Sequence, residues 1–308
     1  MKFRRFFSVF LSLLVAVQLC CTSFAAEDDV GDWEVLAKAA LLVDPETGEV
    51  LYARNIHEKL YPASLTKVMT ALLTLESIEV GTISTETMVT VSDYAAKKDF
   101  VDEATANLIS GEQISVIDLL YCLMLPSAND AAKALAEHLG GSADSFVDRM
   151  NQRAEELGCQ NTHFLNPNGL HDEDHYSCAY DIALMFRQAM SHELFLQIIG
   201  TAEYTGAATN LSGERTLYNT NGLISNLYYS GYVYEKCIGG KTGTTENAGK
   251  CLVSAANNGD YSIISVVMGA GLITQEDGSQ LQGHLVESRR LLEYGFENFR
   301  PVKLAPPD

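Results

Sequence analysis

The sequence predicts an α+β fold: an antiparallel sheet completed by both chain ends, with helices packed on it and an all-helical subdomain inserted between its halves. Three observations carry this reading. Residues 39–55 read as strand, turn and strand; apolar spacing of helical period dominates from residue 62 to about 199; and after about residue 201 short β-favouring runs return, punctuated by Gly and Asn and closed by one last amphipathic segment. Mixed layers in this order bury their apolar faces by stacking helices on a sheet that the two ends build together.

In the first hairpin, Leu41-Leu42-Val43 and Val50-Leu51-Tyr52 favour strand, and Asp44-Pro45-Glu46-Thr47-Gly48 is turn chemistry. Pro62 precedes a helix whose Leu65, Val68, Met69, Leu72 and Leu73 form one stripe, leaving Ser64 and Lys67 off its centre. The segment Ile114–Leu125 is strongly apolar and stops at Pro126; Asp130–Leu139 resumes the helical pattern up to Gly140-Gly141. Phe146, Val147, Met150, Ala154 and Leu157 make another stripe, closed by Gly158, and Tyr176–Met190 is a further amphipathic helix. Lys250–Ala256 and Tyr261–Met268 read as adjacent strands joined through Asn257-Asn258-Gly259, and a helix over roughly Leu285–Phe299 ends before Pro301.

The first 26 residues are expected to be a signal peptide. Lys2, Arg4 and Arg5 precede an uncharged run from Phe6 to Leu19, and the small residues Ser23 and Ala25 suit cleavage after Ala25 or Ala26. The run is short for a spanning helix, and Leu19 stands where a lipid-attachment motif would want a small residue. The expected organisation is a leader over 1–26, one folded domain over 27–300 (sheet-containing parts 27–80 and 200–300, helical part 81–199) and a tail over 301–308. Cleavage takes the net charge from −19 to −22, which makes nucleic acid or an anionic membrane surface a poor partner. Five cysteines remain after the leader; their spacing fits no zinc pattern, and of these only Cys237 and Cys251, flanking a hairpin, invite pairing, with two free thiols the stronger expectation.

Three short motifs, each present once, carry the chemistry. Ser64-Leu65-Thr66-Lys67 sets a hydroxyl and an amine three residues apart at a helix start, on one face, where a lysine of lowered pKa can take the serine's proton. Ser127-Ala128-Asn129 falls in the break between two helices, where its residues serve equally well as a helix cap. Lys241-Thr242-Gly243 follows Gly239-Gly240 and leads into Thr244-Thr245; the glycines let a ligand backbone lie against the strand, and the lysine and hydroxyls suit a carboxylate.

The set and its order resemble the active-site serine penicillin-binding proteins and serine β-lactamases, and within them the low-molecular-weight D-alanyl-D-alanine carboxypeptidases. Tyr61–Lys67, Leu125–Ala132, Asn166-Pro167-Asn168-Gly169-Leu170, Gly240–Thr245 and Leu291–Phe296 all read like that family, so the resemblance spans about Val35 to Phe299. It implies the β-lactamase/DD-peptidase fold and a catalytic domain over 27–300. The implied substrate is a peptidoglycan stem peptide ending in D-Ala-D-Ala, with β-lactam antibiotics as covalent inhibitors. Ser64 would be the nucleophile, Lys67 the general base and Ser127 the proton relay to the leaving amine. Asn129, Lys241, Thr242, Gly243 and Thr244 would bind substrate, and the amides of Ser64 and Thr244 would form the oxyanion hole. No cofactor and no metal are implied. The location would be extracytoplasmic, with membrane attachment left open because the chain ends at Pro301–Asp308, where longer members continue.

Other features are set aside. His163, His171 and His175 with Asp172 and Asp174 sketch a metal site, but Asn166-Pro167-Asn168-Gly169 argues for a solvated loop instead. Tyr228, Tyr229, Tyr232 and Tyr234 read as strand and loop aromatics, and Asn219 and Asn221 match a family Asn-x-Asn stretch too loosely to join the site. A β-lactamase of class A would want a glutamate in a Glu-x-x-x-Asn context near 163–175, where Glu173 lacks it. A non-catalytic penicillin sensor would carry transmembrane helices and a partner domain. The carboxypeptidase is the favoured reading.

Overall fold

The structure, a computed structural model, describes residues 35–302; the expected leader and most of the tail lie outside the described residues. β1 (Ala39–Val43) and β2 (Val50–Arg54) form the predicted hairpin, its turn held by Asp44 Oδ1 accepting from the amides of Glu46 and Thr47. β7 (Cys237–Thr245), β8 (Gly249–Asn257) and β9 (Ser262–Ala270) complete a five-stranded antiparallel sheet of order β2-β1-β9-β8-β7. The amino-terminal hairpin therefore docks on the last long strand, and β7 is left as an edge.

Alternation along these strands divides the core in two. Ala39, Leu41, Val43, Val253, Ile264, Val266 and Met268 face one side, while Ala40, Leu42, Leu252, Ile263 and Val267 face the other. The second face is covered by α8 (Gly283–Asn298) through Leu285, Leu291 and Leu292. The first receives the helical part: α1 (Lys67–Glu79), α2 (Asp93–Ala96), α3 (Val116–Met124), α4 (Asn129–Gly140), α5 (Ala143–Glu156), α6 (Ala179–Ala189) and α7 (Glu193–Gly200).

Helix α1 departs from its expected one-sided stripe. It is enclosed nearly all round, and its polar Thr70, Thr74 and Ser77 are buried with their hydroxyls donated to the carbonyls of Pro167, Thr70 and Leu73 at 2.6–2.7 Å. Back-bonding of Thr74 and Ser77 to the preceding turn, and the bond of Thr70 to the 166–170 loop, let short polar side chains sit in an interior helix without an unmet donor. The inserted part, expected to be all-helical, also carries a short ladder of β3 (Met88–Thr90) with β4 (Gln113–Ser115), and the two-stranded ladder of β5 (Glu203–Gly206) with β6 (Arg215–Tyr218) follows it. Strands of three or four residues are too brief to show alternation, and Ile114 and Ser115 of β4 fall inside the apolar run Ile114–Leu125; Ser115 caps α3 by accepting from the Asp118 amide.

The five cysteines among the described residues are free. Cys237 lies opposite Ala256 and Cys251 opposite Gly243, so the two thiols sit five residues apart along the ladder, about 17 Å at strand rise, beyond disulfide reach.

His284, in the first turn of α8, is 2% exposed beside the Tyr229 ring, and its Nδ1 has no partner among the described residues. Burial, with the charge of Lys250 adding to it, pushes its imidazole down to about 3 from an ordinary 6.5. A group so depressed takes up its proton only on unfolding. Stability is therefore complete above about pH 6.5 and falls as pH drops toward 3, by a few kcal/mol at most. Thermal melts at pH 7 and at about pH 4.5 should show His284→Leu losing less on acidification than the parent protein; an equal loss would refute this assignment.

Candidate active site

The site forms where three distant segments meet the start of α1. Pro62 leads into a 3-10 turn, Ala63–Thr66, that delivers Ser64 and hands over to α1 at Lys67. Ala63 enters this turn at φ 48°, a left-handed conformation that costs a non-glycine residue roughly 1–2 kcal/mol. Behind it, the loop 166–170 packs so closely that a Cβ on Gly169, itself at φ 86°, would lie 1.8 Å from the Ala63 carbonyl oxygen. Only glycine fits there, which gives the Asn-Pro-Asn-Gly stretch a physical reason: it is the wall against which the Ser64 turn is set.

Lys67 is wholly buried. Its Nζ lies 3.0 Å from Ser64 Oγ, 2.6 Å from Asn129 Oδ1 and 2.7 Å from the Asn168 carbonyl oxygen. Burial first, and the charge of Lys241 second, hold its pKa well below 10.5, against the opposing pull of Glu103 and Asp130. A neutral amine has two N–H donors and one lone pair. Of its three partners, two are carbonyl oxygens with no proton to give; only the Ser64 hydroxyl can donate into the lone pair. The neutral amine is thereby set to accept the serine's proton.

Asn129 opens α4 as the break after Pro126 turns the chain inward, and its Nδ2 donates to Glu103 Oε1 at 2.9 Å. Two residues before it, Ser127 is 7% exposed at φ 64°, and its Oγ has no hydrogen-bond partner among the described residues. A buried, unbonded hydroxyl on strained backbone is costly unless something else completes it.

The third segment is the edge strand β7. Lys241 is 1% exposed, its Nζ donates to the Thr242 carbonyl at 2.9 Å, and burial lowers its pKa to about 7. The ladder pairs Thr242 with Leu252, Gly243 with Cys251 and Thr244 with Lys250. A Cβ on Gly243 would stand 3.0 Å from both the Ser64 amide nitrogen and the Pro62 carbonyl oxygen, so the missing side chain lets β7 run against the Ser64 backbone. Thr242 Oγ1 meets Thr220 Oγ1 at 2.6 Å, while Thr244 is exposed at the cleft.

Of the residues singled out in the sequence, Ser64, Lys67 and Asn129 are in direct contact, Gly243 packs on Ser64, and Lys241 acts on Lys67 through its charge. Ser127 and Thr244 adjoin them along the chain. Several participants were not visible beforehand. The Asn168 carbonyl is a backbone group, which no side-chain pattern reveals. Thr220 sits between Asn219 and Asn221, set aside as a loose match; Asn219 ties that segment to the Ile199 and Thr201 carbonyls, and Asn221 bonds Ser254. Glu103 lay in an unremarkable acidic stretch. His175, expected on a solvated loop, is 2% exposed. Its Nδ1 accepts the Leu165 amide, leaving Nε2–H to donate to Thr66 Oγ1 at 2.8 Å, and burial lowers its pKa to about 4. It fastens the loop to a residue between Ser64 and Lys67, whereas His171 stacks edge-on to Tyr61 and bonds Asn247.

Comparison with known proteins agrees with this geometry. Residues 23–271 match the family model described as D-alanyl-D-alanine carboxypeptidase. The chain is 38% identical over 269 residues to D-alanyl-D-alanine carboxypeptidase DacF of Bacillus subtilis, covering 87% of this chain and 66% of that one, and 33% identical over 264 residues to a D-alanyl-D-alanine carboxypeptidase of Streptomyces sp. K15, covering 81% and 84%. It thus spans just under two thirds of the Bacillus relative's length. Among solved structures, penicillin binding protein 6B from Escherichia coli superposes with a TM-score of 0.78 at 33% identity, over 93% of this chain and 85% of that one. A chain with this much of the family's length, its three motifs and its fold belongs to the D-alanyl-D-alanine carboxypeptidase family.

Proposed function

We propose that this protein is an exported serine DD-carboxypeptidase that removes the terminal D-alanine from peptidoglycan pentapeptide stems through a Ser64 acyl-enzyme, and that penicillins acylate the same serine. The observation that carries the proposal is the setting of Lys67, an amine buried between two carbonyl oxygens with one serine hydroxyl as its only proton donor among the described residues. Ser64 Oγ attacks the carbonyl between the two D-alanines as its proton passes to Lys67. The amides of Ser64 and Thr244 receive the developing oxyanion, and loss of one such donor costs on the order of a hundredfold or more in rate. Ser127, whose hydroxyl has no partner among the described residues, gives its proton to the leaving amine and regains one from the Lys67 ammonium, which returns the base to its neutral form. Lys241, Thr242 and Thr244 hold the substrate's terminal carboxylate, and an incoming carboxylate favours the charged form of Lys241. Water then releases the ester. The loop facing Lys67 presents a backbone carbonyl, and Glu173 of that loop is exposed, which favours the peptidase over a class A lactamase. Among the described residues no helix is long and apolar enough to cross a membrane.

Ser64→Ala should abolish both covalent labelling by a fluorescent penicillin and D-alanine release from a peptide ending in D-Ala-D-Ala; normal labelling of that variant would dismiss Ser64 as the nucleophile. Lys67→Ala should slow acylation by about a hundredfold or more, the ordinary worth of a positioned general base. The pH profile of kcat/KM for the peptide should have two limbs. Activity rises as Lys67 loses its proton, well below the usual lysine range, and falls on the alkaline side as Lys241, about 7 in the empty site, loses the charge that meets the carboxylate. A profile that stays flat on the acid side would remove Lys67 from the role of base.

A further inference from the structure

Glu103 is a carboxylate with no place in the scheme above, yet it is 6% exposed and touches the site. Its Oε1 accepts from Asn129 Nδ2 at 2.9 Å and its Oε2 from the Asp99 amide at 2.5 Å. Lys133, whose side chain is 3% exposed, stands 3.8 Å from Oε1, donates to Asp99 Oδ2 at 2.6 Å and to the Lys97 carbonyl at 3.0 Å. The acid is therefore built in: one oxygen is anchored to backbone, a buried cation balances it, and the other oxygen is aimed at one side chain of the site.

We infer that Glu103 is a positioning residue for acylation, holding the Asn129 amide in the one orientation that turns its oxygen toward Lys67 and so keeps the lysine lone pair free for Ser64. The need follows from the symmetry of an amide. Asparagine fits the same space with its oxygen and nitrogen exchanged, and while Lys67 is an ammonium its donors enforce the oxygen. Once Lys67 is neutral that enforcement weakens, because a flipped Asn129 would donate an N–H into the lone pair and displace Ser64 at the moment the base is needed. A carboxylate accepts and cannot donate, so opposite Nδ2 it makes the flipped amide face oxygen with oxygen. The second N–H of Asn129 stays available to a substrate carbonyl. The charges around Lys67 are Lys241 on β7, Asp130 on α4 and Glu103 itself, with His175 reaching Thr66 from the loop; Glu103 and Asp130 raise the lysine's pKa and Lys241 lowers it.

This inference rests on the proposed reading of Ser64 and Lys67, and its test separates the two. The second-order rate of labelling by a fluorescent penicillin is measured across pH for the wild type, Glu103→Gln, Glu103→Ala, Asn129→Ala and both double variants, with melting temperatures alongside. Glutamine keeps the shape and the fold but pairs with either orientation of Asn129, so Glu103→Gln should label about three- to tenfold more slowly and Glu103→Ala at least as slowly, as loss of the net worth of one ordinary hydrogen bond implies. Neither should slow the Asn129→Ala protein further, because a residue acting through a missing partner has nothing left to act on. The acid limb of Glu103→Gln should also lie at lower pH, since a charge that raises the Lys67 pKa is gone. Should Glu103→Ala not fold, the glutamine cycle decides alone. Losses that multiply with Asn129→Ala, or a Glu103→Gln protein that labels at the wild-type rate, overturn the inference. A wild type that penicillin does not label overturns the proposed function with it.

Discussion

Everything in the site depends on keeping one lysine amine dry. An ammonium in a low-dielectric interior is expensive, and the cheaper state is the neutral amine. Lys67 is placed where water does not reach and a second lysine, Lys241, adds repulsion. Two acidic residues, Glu103 and Asp130, pull the other way, so the amine is depressed without being stripped of nearby negative charge. What distinguishes this burial from a folding defect is that each hydrogen of the neutral amine has a carbonyl waiting for it and the lone pair has a hydroxyl.

The rest of the fold makes that pocket. Helix α1 is closed in nearly all round, its first residue wholly so, and its buried hydroxyls are satisfied by carbonyls of its own turns and of Pro167, so the enclosure leaves those donors met. The loop 166–170 and the α3–α4 break supply the two carbonyl oxygens from residues 101 and 62 positions away in the chain. The edge strand β7, paired on one side by β8 and open on the other, lies against Ser64 through Gly243. An open edge is ordinarily a liability; here it is left beside Ser64, where the proposed function has a use for it.

Strain is concentrated at the same points. Ala63 and Ser127, both non-glycine residues with positive φ, precede or carry the hydroxyls of the site. Such backbone persists only where surrounding packing overdetermines it, and here the packing is the Gly169 loop behind Ala63 and the junction at Asn129, whose backbone amide donates to the Ala104 carbonyl.

Much of this was legible in the amino-acid order. Alternation and helical spacing located the hairpin, the long strands and most helices, and three single-copy motifs named Ser64, Lys67, Ser127, Asn129 and the Lys241 strand. Those signals are local: a period, a turn residue, a spacing of three. What they could not carry was any partner chosen by distance in space. The Asn168 carbonyl has no side-chain signature, Thr220 and Glu103 become part of the site only when β7 and α4 bring them there, and His175 looked solvated until Thr66 and Leu165 closed around it. The sequence by itself determined which groups have the chemistry for the proposed reaction, because that chemistry belongs to side-chain type and spacing. Tertiary structure alone decided that the Lys67 pKa is lowered and its nitrogen aimed at Ser64, because burial and the count of acceptors around one nitrogen are properties of the assembled chain.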